Sequence, residues 1–383
     1  DVLTIALLLS YAFLASTILS AAGLLVATVS RSRQWQVLLS VALVIALVAA
    51  DLIGSYLAVA MVWAGAQLEY DQSYFWIIHL AVLSFYLSYL GLFVFGAAAQ
   101  ISFASDNRST RLRWILAGQQ LLWVFWMIHL WLDTRDNDVL YAIVPFGALH
   151  WYAIGSLMTG ESGKLSPRVC RTLPQSFLGR MFGTWLNPGA GTGYIFTVIN
   201  VWVLAIVAAV AFVAGSAVGF TGGDGDRLIT LSAMAAAYVT VYLGAGRLLM
   251  LLVQQVVPTG LILPLLLHIL MAAIGALAPA ILGGWIQGFN NLDYTELQLT
   301  NWMWSLIEAT EGNIWSTPLV PVALFTVAGM VLLVNLIVAA REVEQVRAQT
   351  PQRVVEDDQL LHPPPEVPKP RRSPWDDDEV PVG

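Results

Sequence analysis

Few side chains in this sequence are equipped for chemistry, and those few lie among long apolar runs. Asp51, in VAADLIGSY, is the acidic residue set well inside such a run. A carboxylate there costs ~2.5–3.5 kcal/mol on insertion scales unless it faces other helices, so it reads as a functional group or as a hydrogen-bonded packing residue. His150 and His268 also fall inside apolar runs, with His79 and His129 nearer the ends. If Asp51, His150 and His268 converge in one cavity, they form an intramembrane polar site fit for acid–base work on a lipid or glycan. Four separated histidines without paired spacing read more simply as polar contacts between helices, and no metal site is expected.

Two glycine motifs invite stronger readings. GAGTG at 189–193 resembles a phosphate loop, but no Lys-Ser/Thr follows and it precedes an apolar run rather than following a strand. It reads as a flexible hinge. GGDGD at 222–226 lacks the following Glu of a calcium loop and reads as a plain turn. No Ser-His-Asp, HExxH or carboxylate-pair arrangement occurs in any loop. Cys170 is the single cysteine, so no intramolecular disulfide forms. No cofactor is expected, and no nucleotide-binding motif is present.

The elements that must position these residues follow from composition. Of 383 residues, 58% are hydrophobic and only 11% charged, against roughly a quarter charged in an ordinary soluble domain. Apolar runs cover about 2–29, 35–64, 75–102, 112–132, 139–158, 194–220, 228–253, 261–286 and 319–340. Each suffices for the ~20 residues of a membrane-crossing helix, and none shows the strict alternation of a barrel strand. The expected fold is an all-α, polytopic transmembrane bundle of about nine helices, multi-pass in a cytoplasmic membrane with the lipid bilayer as its main partner.

Orientation follows from the basic residues. With the first helix running from outside to inside, Arg31, Arg33, Arg108, Arg111 and Arg113 lie in cytoplasmic loops, as do the basic residues of 159–193 and of the tail. Arg247 sits near the cytoplasmic end of its helix, close enough to snorkel to the interface. Only Arg135 and Arg227 remain outside, among acidic loops. This positive-inside pattern places the N-terminus outside and the C-terminus in the cytoplasm. The net charge of −7 owes much to the acidic tail. No clustered basic face suggests nucleic acid as a partner.

Several connections carry their own signals. The cytoplasmic stretch 159–193 mixes basic and large apolar residues and suits the membrane surface. The outer stretch 287–318 carries Trp302, Trp304 and Trp315 among acidic residues, as an interfacial aromatic belt does. Ala211, Gly215 and Gly219, at four-residue spacing, suit close helix contact. Residues 349–383, rich in Pro and charge, are expected to be disordered. The start at Asp1, followed at once by an apolar run, reads as a cut edge with sequence upstream.

Residues 15–47, ASTILSAAGLLVATVSRSRQWQVLLSVALVIAL, resemble the permease subunits of type-2 ATP-binding-cassette exporters. In that family a helix rich in small residues leads into a short basic cytoplasmic loop, here SRSRQ at 30–34, and the next helix follows directly. ISFASDNRSTRLR at 101–113 is similar to a stretch of such permease-like proteins. The resemblance implies export energised by a separate ATPase subunit, a homo- or hetero-dimer of permease halves, and Arg31, Arg33, Arg108, Arg111 and Arg113 as ATPase-coupling candidates. It covers the first third of the chain, which then divides into a permease-like region (1–138), an additional transmembrane region (139–348) and the tail (349–383). A membrane-embedded enzyme and a structural component of a membrane complex remain the alternatives.

Overall fold

An apolar run in lipid has to satisfy its own backbone N–H and C=O groups, and a helix does so within one segment. The computed structural model describes residues 2–29, 33–34, 36–37, 40–41, 73–103, 106–161, 169, 176, 179, 183–219, 225–256, 262–289, 293–348 and 361. Among the described residues there is no strand. The helices are α1 (Val2–Val29), α2 (Ser73–Ile101), α3 (Ser109–Thr134), α4 (Asn137–Met158), α5 (Ala190–Ala217), α6 (Gly225–Val253), α7 (Ile262–Gln287), α8 (Trp302–Glu311) and α9 (Leu319–Ala348). All but the short α8 are long and apolar enough to cross a membrane, giving eight candidate spans. The expected helix over 35–64, with Asp51, falls almost wholly outside the described residues, and so do Arg31, the GGDGD turn up to residue 224 and nearly all of the tail.

Directions follow from side-chain neighbours. Tyr11 of α1 meets His79 and Tyr86 of α2, and Leu25 meets Gly96, so these two helices run parallel. Trp126 of α3 donates to Ser84 of α2 at 2.9 Å, while Gln119 reaches Ser88, an antiparallel pairing. A two-residue connection turns α3 into α4. Arg135 ends α3 in the left-handed region (φ 55°), and the Asp136 carboxylate accepts from the Asp138 N–H to cap α4.

The core lies where α4, α5 and α6 meet, with α9 packed on α5 and α6. Trp151, Tyr194, Leu204, Leu228 and Leu243 are fully buried there. Polarity is arranged inside out. Arg113, Arg247, Thr197, Thr240, His268 and Asn335 are buried, whereas Phe13, Phe146, Val210 and Leu333 each expose more than half of their surface. Water would reject such an apolar exterior, and lipid accepts it. The described chain is a helical bundle with the make-up of a multi-pass membrane protein.

Two expectations change in detail. Gly215 is buried and Ala211 half-buried, but Gly219 lies past the end of α5 in a left-handed turn with open space around it. The small-residue stripe therefore ends one turn early. Residues 293–317 form a folded cap. Gln298, Asn301 and Ser305 are buried within it, and Trp302 Nε1 donates to the Ala272 carbonyl of α7 at 3.0 Å. Of its three tryptophans, Trp315 is the exposed one.

Candidate functional site

The N-terminus of a helix leaves backbone N–H groups without intrahelical partners and attracts negative charge. At α5 these groups belong to the GAGTG stretch. Gly189 turns the chain at φ 133°, a conformation that disfavours any side chain. Its N–H donates to Glu161 Oε2 at 2.8 Å, just past the end of α4. Two residues on, the Gly191 N–H donates to Glu342 Oε2 of α9 at 3.1 Å. The positions that a phosphate would take in a nucleotide loop are filled by the protein's own carboxylates.

Each carboxylate is paired with a buried arginine. Arg113 of α3 donates from Nη2 to Glu161 Oε2 at 2.6 Å and to the Gly189 carbonyl at 3.1 Å. Its Nη1 donates to the Trp185 carbonyl at 2.7 Å, to Thr192 Oγ1 at 3.1 Å and to the Asn187 carbonyl. Arg247 of α6 donates from Nη2 to Glu342 Oε1 at 2.5 Å and from Nη1 to Asn335 Oδ1 at 2.7 Å. Both arginine side chains are fully buried, and Glu161 and Glu342 are 18% and 24% exposed.

The result is a double clamp. Through one glycine turn it joins the start of α3, the end of α4, the start of α5, the end of α6 and the C-terminal part of α9. A Cβ on Gly191 would lie 2.5 Å from Glu342 Oε2 and 2.8 Å from the Ala339 Cβ, so a glycine is what lets α9 close on α5. Chemically the clamp is neutral as a unit, because two cations meet two carboxylates. It is built to hold or release helix ends, with no reacting group presented to a substrate. The hinge expected at 189–193 is a clamped turn instead, because the buried Arg113 takes the Gly189 carbonyl and the two carboxylates take the Gly189 and Gly191 N–H groups. Arg247 does not snorkel either, since α5, α6 and α9 enclose it and it finds its counter-charge inside.

The other candidates separate. Arg33 and Arg111 are exposed, and Arg108 is half-buried with its guanidinium on the Ser102 and Phe103 carbonyls. Arg113 has no surface to offer a second protein. His150 Nδ1 faces Tyr89 of α2 at 3.0 Å. His268 is fully buried on α7, its ring nitrogens toward the Pro264 and Leu243 carbonyls, while Tyr152 donates to its backbone carbonyl. The two histidines lie on different sides of α4 and do not meet. Among the described residues no group of three His, Cys, Asp or Glu could hold a metal ion.

Glu161 and Glu342 were not visible as site residues in the sequence. They pair with arginines 48 and 95 positions away, a separation that no local pattern encodes. The only signal was that GAGTG had to be close-packed or flexible. No family model matches the sequence, and no curated protein or solved structure matches the chain.

Proposed function

We propose that the chain is the permease subunit of an ATP-binding-cassette exporter, energised by a separate ATPase that docks at the clamp end in the cytoplasm. The observation that carries this reading is the sharing of one end of the bundle by the clamp and the exposed arginines. Arg111 lies in the first turn of α3, two residues before Arg113, and the half-buried Arg108 immediately precedes the helix. A partner pressing on these residues would move α3, and the clamp links α3 to the starts and ends of α4, α5, α6 and α9.

Charge supports the orientation. Arg33, Arg108, Arg111 and Arg341 lie toward the clamp end, while Asp133, Asp136, Asp138, Asp226, Glu308 and Glu311 lie toward the other. The positive-inside rule then puts the clamp in the cytoplasm and the 293–317 cap outside. The parallel run of α1 and α2 supports an odd number of crossings between them, as a nine-helix arrangement requires. The resemblance of 15–47 to type-2 exporter permeases supports the choice of energy source.

The test is purification of the tagged chain from native membranes under mild detergent. An ATP-binding-cassette ATPase is expected to co-purify, and Arg33→Glu with Arg111→Glu should release it without lowering the amount of chain in the membrane. A preparation that carries no ATPase, or one that keeps it fully in the double variant, removes the support for docking at this end. Thiol labelling of Trp315→Cys in a Cys170→Ser background reads the orientation. Labelling from outside intact cells is expected, and labelling only after permeabilisation inverts the topology.

A further inference from the structure

Midway along the bundle, between α2, α3 and α4, lies a cavity of about 240 Å³. The rings of Phe85, Tyr89, Trp123, Phe146 and Trp151 line it, and Leu204 of α5 closes its back. Leu204 is fully buried whereas Phe146 is 56% exposed, so the cavity opens sideways, toward lipid. No charged side chain is among its walls.

Two adjacent glutamines of α3 reach this cavity and differ in one respect. Gln120 uses both halves of its amide, donating to the Asn200 carbonyl at 3.2 Å and accepting from Trp151 Nε1 at 2.6 Å. Gln119 donates to Ser88 Oγ at 3.3 Å, but its Oε1 is buried and has no partner. Exchanging the amide oxygen and nitrogen does not cure this, because the Ser88 hydroxyl already donates to the Phe85 carbonyl at 2.8 Å. Gln119 is 6% exposed, and an orphaned acceptor at such burial costs ~1–3 kcal/mol. A turn of the amide that brings Oε1 to the cavity wall would let an arriving donor recover that cost.

The Tyr89–His150 pair also lines the cavity, with Oη and Nδ1 3.0 Å apart. If the phenol donates, the imidazole keeps its Nε2–H; if the imidazole donates, the phenol keeps its O–H. In either tautomer the pair retains one donor. The cavity thus brings together an acceptor, a donor and aromatic side chains. A hydroxyl on an aromatic ring answers all three, giving its proton to Gln119, accepting on its oxygen and packing its ring among the side chains.

We propose that this cavity binds a neutral, membrane-dissolved phenol that enters laterally from the bilayer. The site stands on its own geometry and does not depend on the exporter reading.

The test uses the full chain in nanodiscs with 2-naphthol as probe, and 2-methoxynaphthalene and naphthalene as controls, against empty nanodiscs. Saturable binding of 2-naphthol at one per chain is expected, with both controls at least about tenfold weaker. Gln119→Leu is expected to lose about tenfold in 2-naphthol affinity while its ligand-free melting temperature holds or rises, because the orphaned acceptor is gone. Uptake no greater than in empty nanodiscs, equal binding of the methyl ether, or unchanged affinity in Gln119→Leu overturns the proposal. A diazirine-bearing naphthol provides a second readout on the unaltered chain. Adducts on α2, α3 and α4 that excess 2-naphthol suppresses support the site, and adducts confined elsewhere refute it.

Discussion

The two ends of the bundle are held by different forces. At the clamp end, two arginines with no exposed side-chain surface meet two carboxylates across the first turn of α5. At the cap end, hydrogen bonds between neutral groups reach across from the neighbouring helices. Tyr238 donates to the Leu299 carbonyl at 2.9 Å, Tyr242 to Thr300 at 2.5 Å, and Gln298 Nε2 to the Pro279 carbonyl at 3.2 Å. Tyr294 shares a 2.7 Å hydrogen bond with Ser305. Burial lifts this phenol above its usual range, against the Ser305 hydrogen bond and with help from the Glu308 carboxylate, so it stays neutral. Neutral hydrogen bonds fail one at a time and cheaply. A buried ion pair fails all at once, because the partner left behind has lost both its water and its counter-charge. The cap is therefore suited to a fixed closure, and the clamp to two discrete states.

That contrast can be broken most directly at Arg113. Arg113→Met removes the counter-charge of Glu161 and one donor from each of four oxygens of the 185–192 turn, and should cost ~3–5 kcal/mol, read as a fall in the melting temperature of the purified protein. A loss no greater than that of a cap tyrosine would erase the distinction between the ends. Next in size is the coupling between Arg247 and Glu342. A double-mutant cycle with Arg247→Gln and Glu342→Gln should return ~0.5–3 kcal/mol, the partial exposure of Glu342 holding it below the Arg113 effect. Additivity of the two changes would mean that the pair is not an ion pair in solution. Tyr238→Phe at the cap should cost ~0.5–1.5 kcal/mol, the net worth of one neutral hydrogen bond, with the same melting readout. The smallest effect belongs to Trp315→Ala, where a side chain more than half exposed should move stability by less than ~0.5 kcal/mol in detergent. A larger shift there would make the cap depend on its outer surface.

The spans were legible because length and hydrophobicity are local properties, and the segregation of charge along the chain was legible for the same reason. Helices form over all the expected runs that the described residues cover, with ends displaced by up to eight residues, as where α9 runs on to Ala348. The functions of individual charges were less readable. Arg111 and Arg113 are two positions apart on a helix, which turns them about 200° from each other, so one faces outward and the other enters the core. The sequence states that they differ in direction and leaves open which one is inside, because the deciding partner is Glu161, beyond the whole of α4. Arg247 misled for a related reason. Its place near a helix end suited an interfacial side chain, but Asn335 and Glu342 of α9 come to it within the bundle. The His150–His268 grouping rested on depth alone, and depth does not fix which side of α4 a side chain meets. Gln119 and Gln120 carried a readable signal, two amides in mid-span, that local patterning could not divide into one satisfied and one orphaned group.

The Gly191–Glu342 contact also bears on how the chain is made. These residues are 151 positions apart, so a ribosome delivers the start of α5 and the whole of α6 well before the carboxylate that both require. During that interval Arg247 has no counter-charge and the first turn of α5 keeps an unmet N–H. The half-finished bundle thus holds a reason to stay loosely assembled until α9 is inserted. Arrival of Glu342 then acts as a completion signal. A chain stalled before that residue would display an unpaired cation at the membrane boundary, a mark by which quality control can tell it from the finished product.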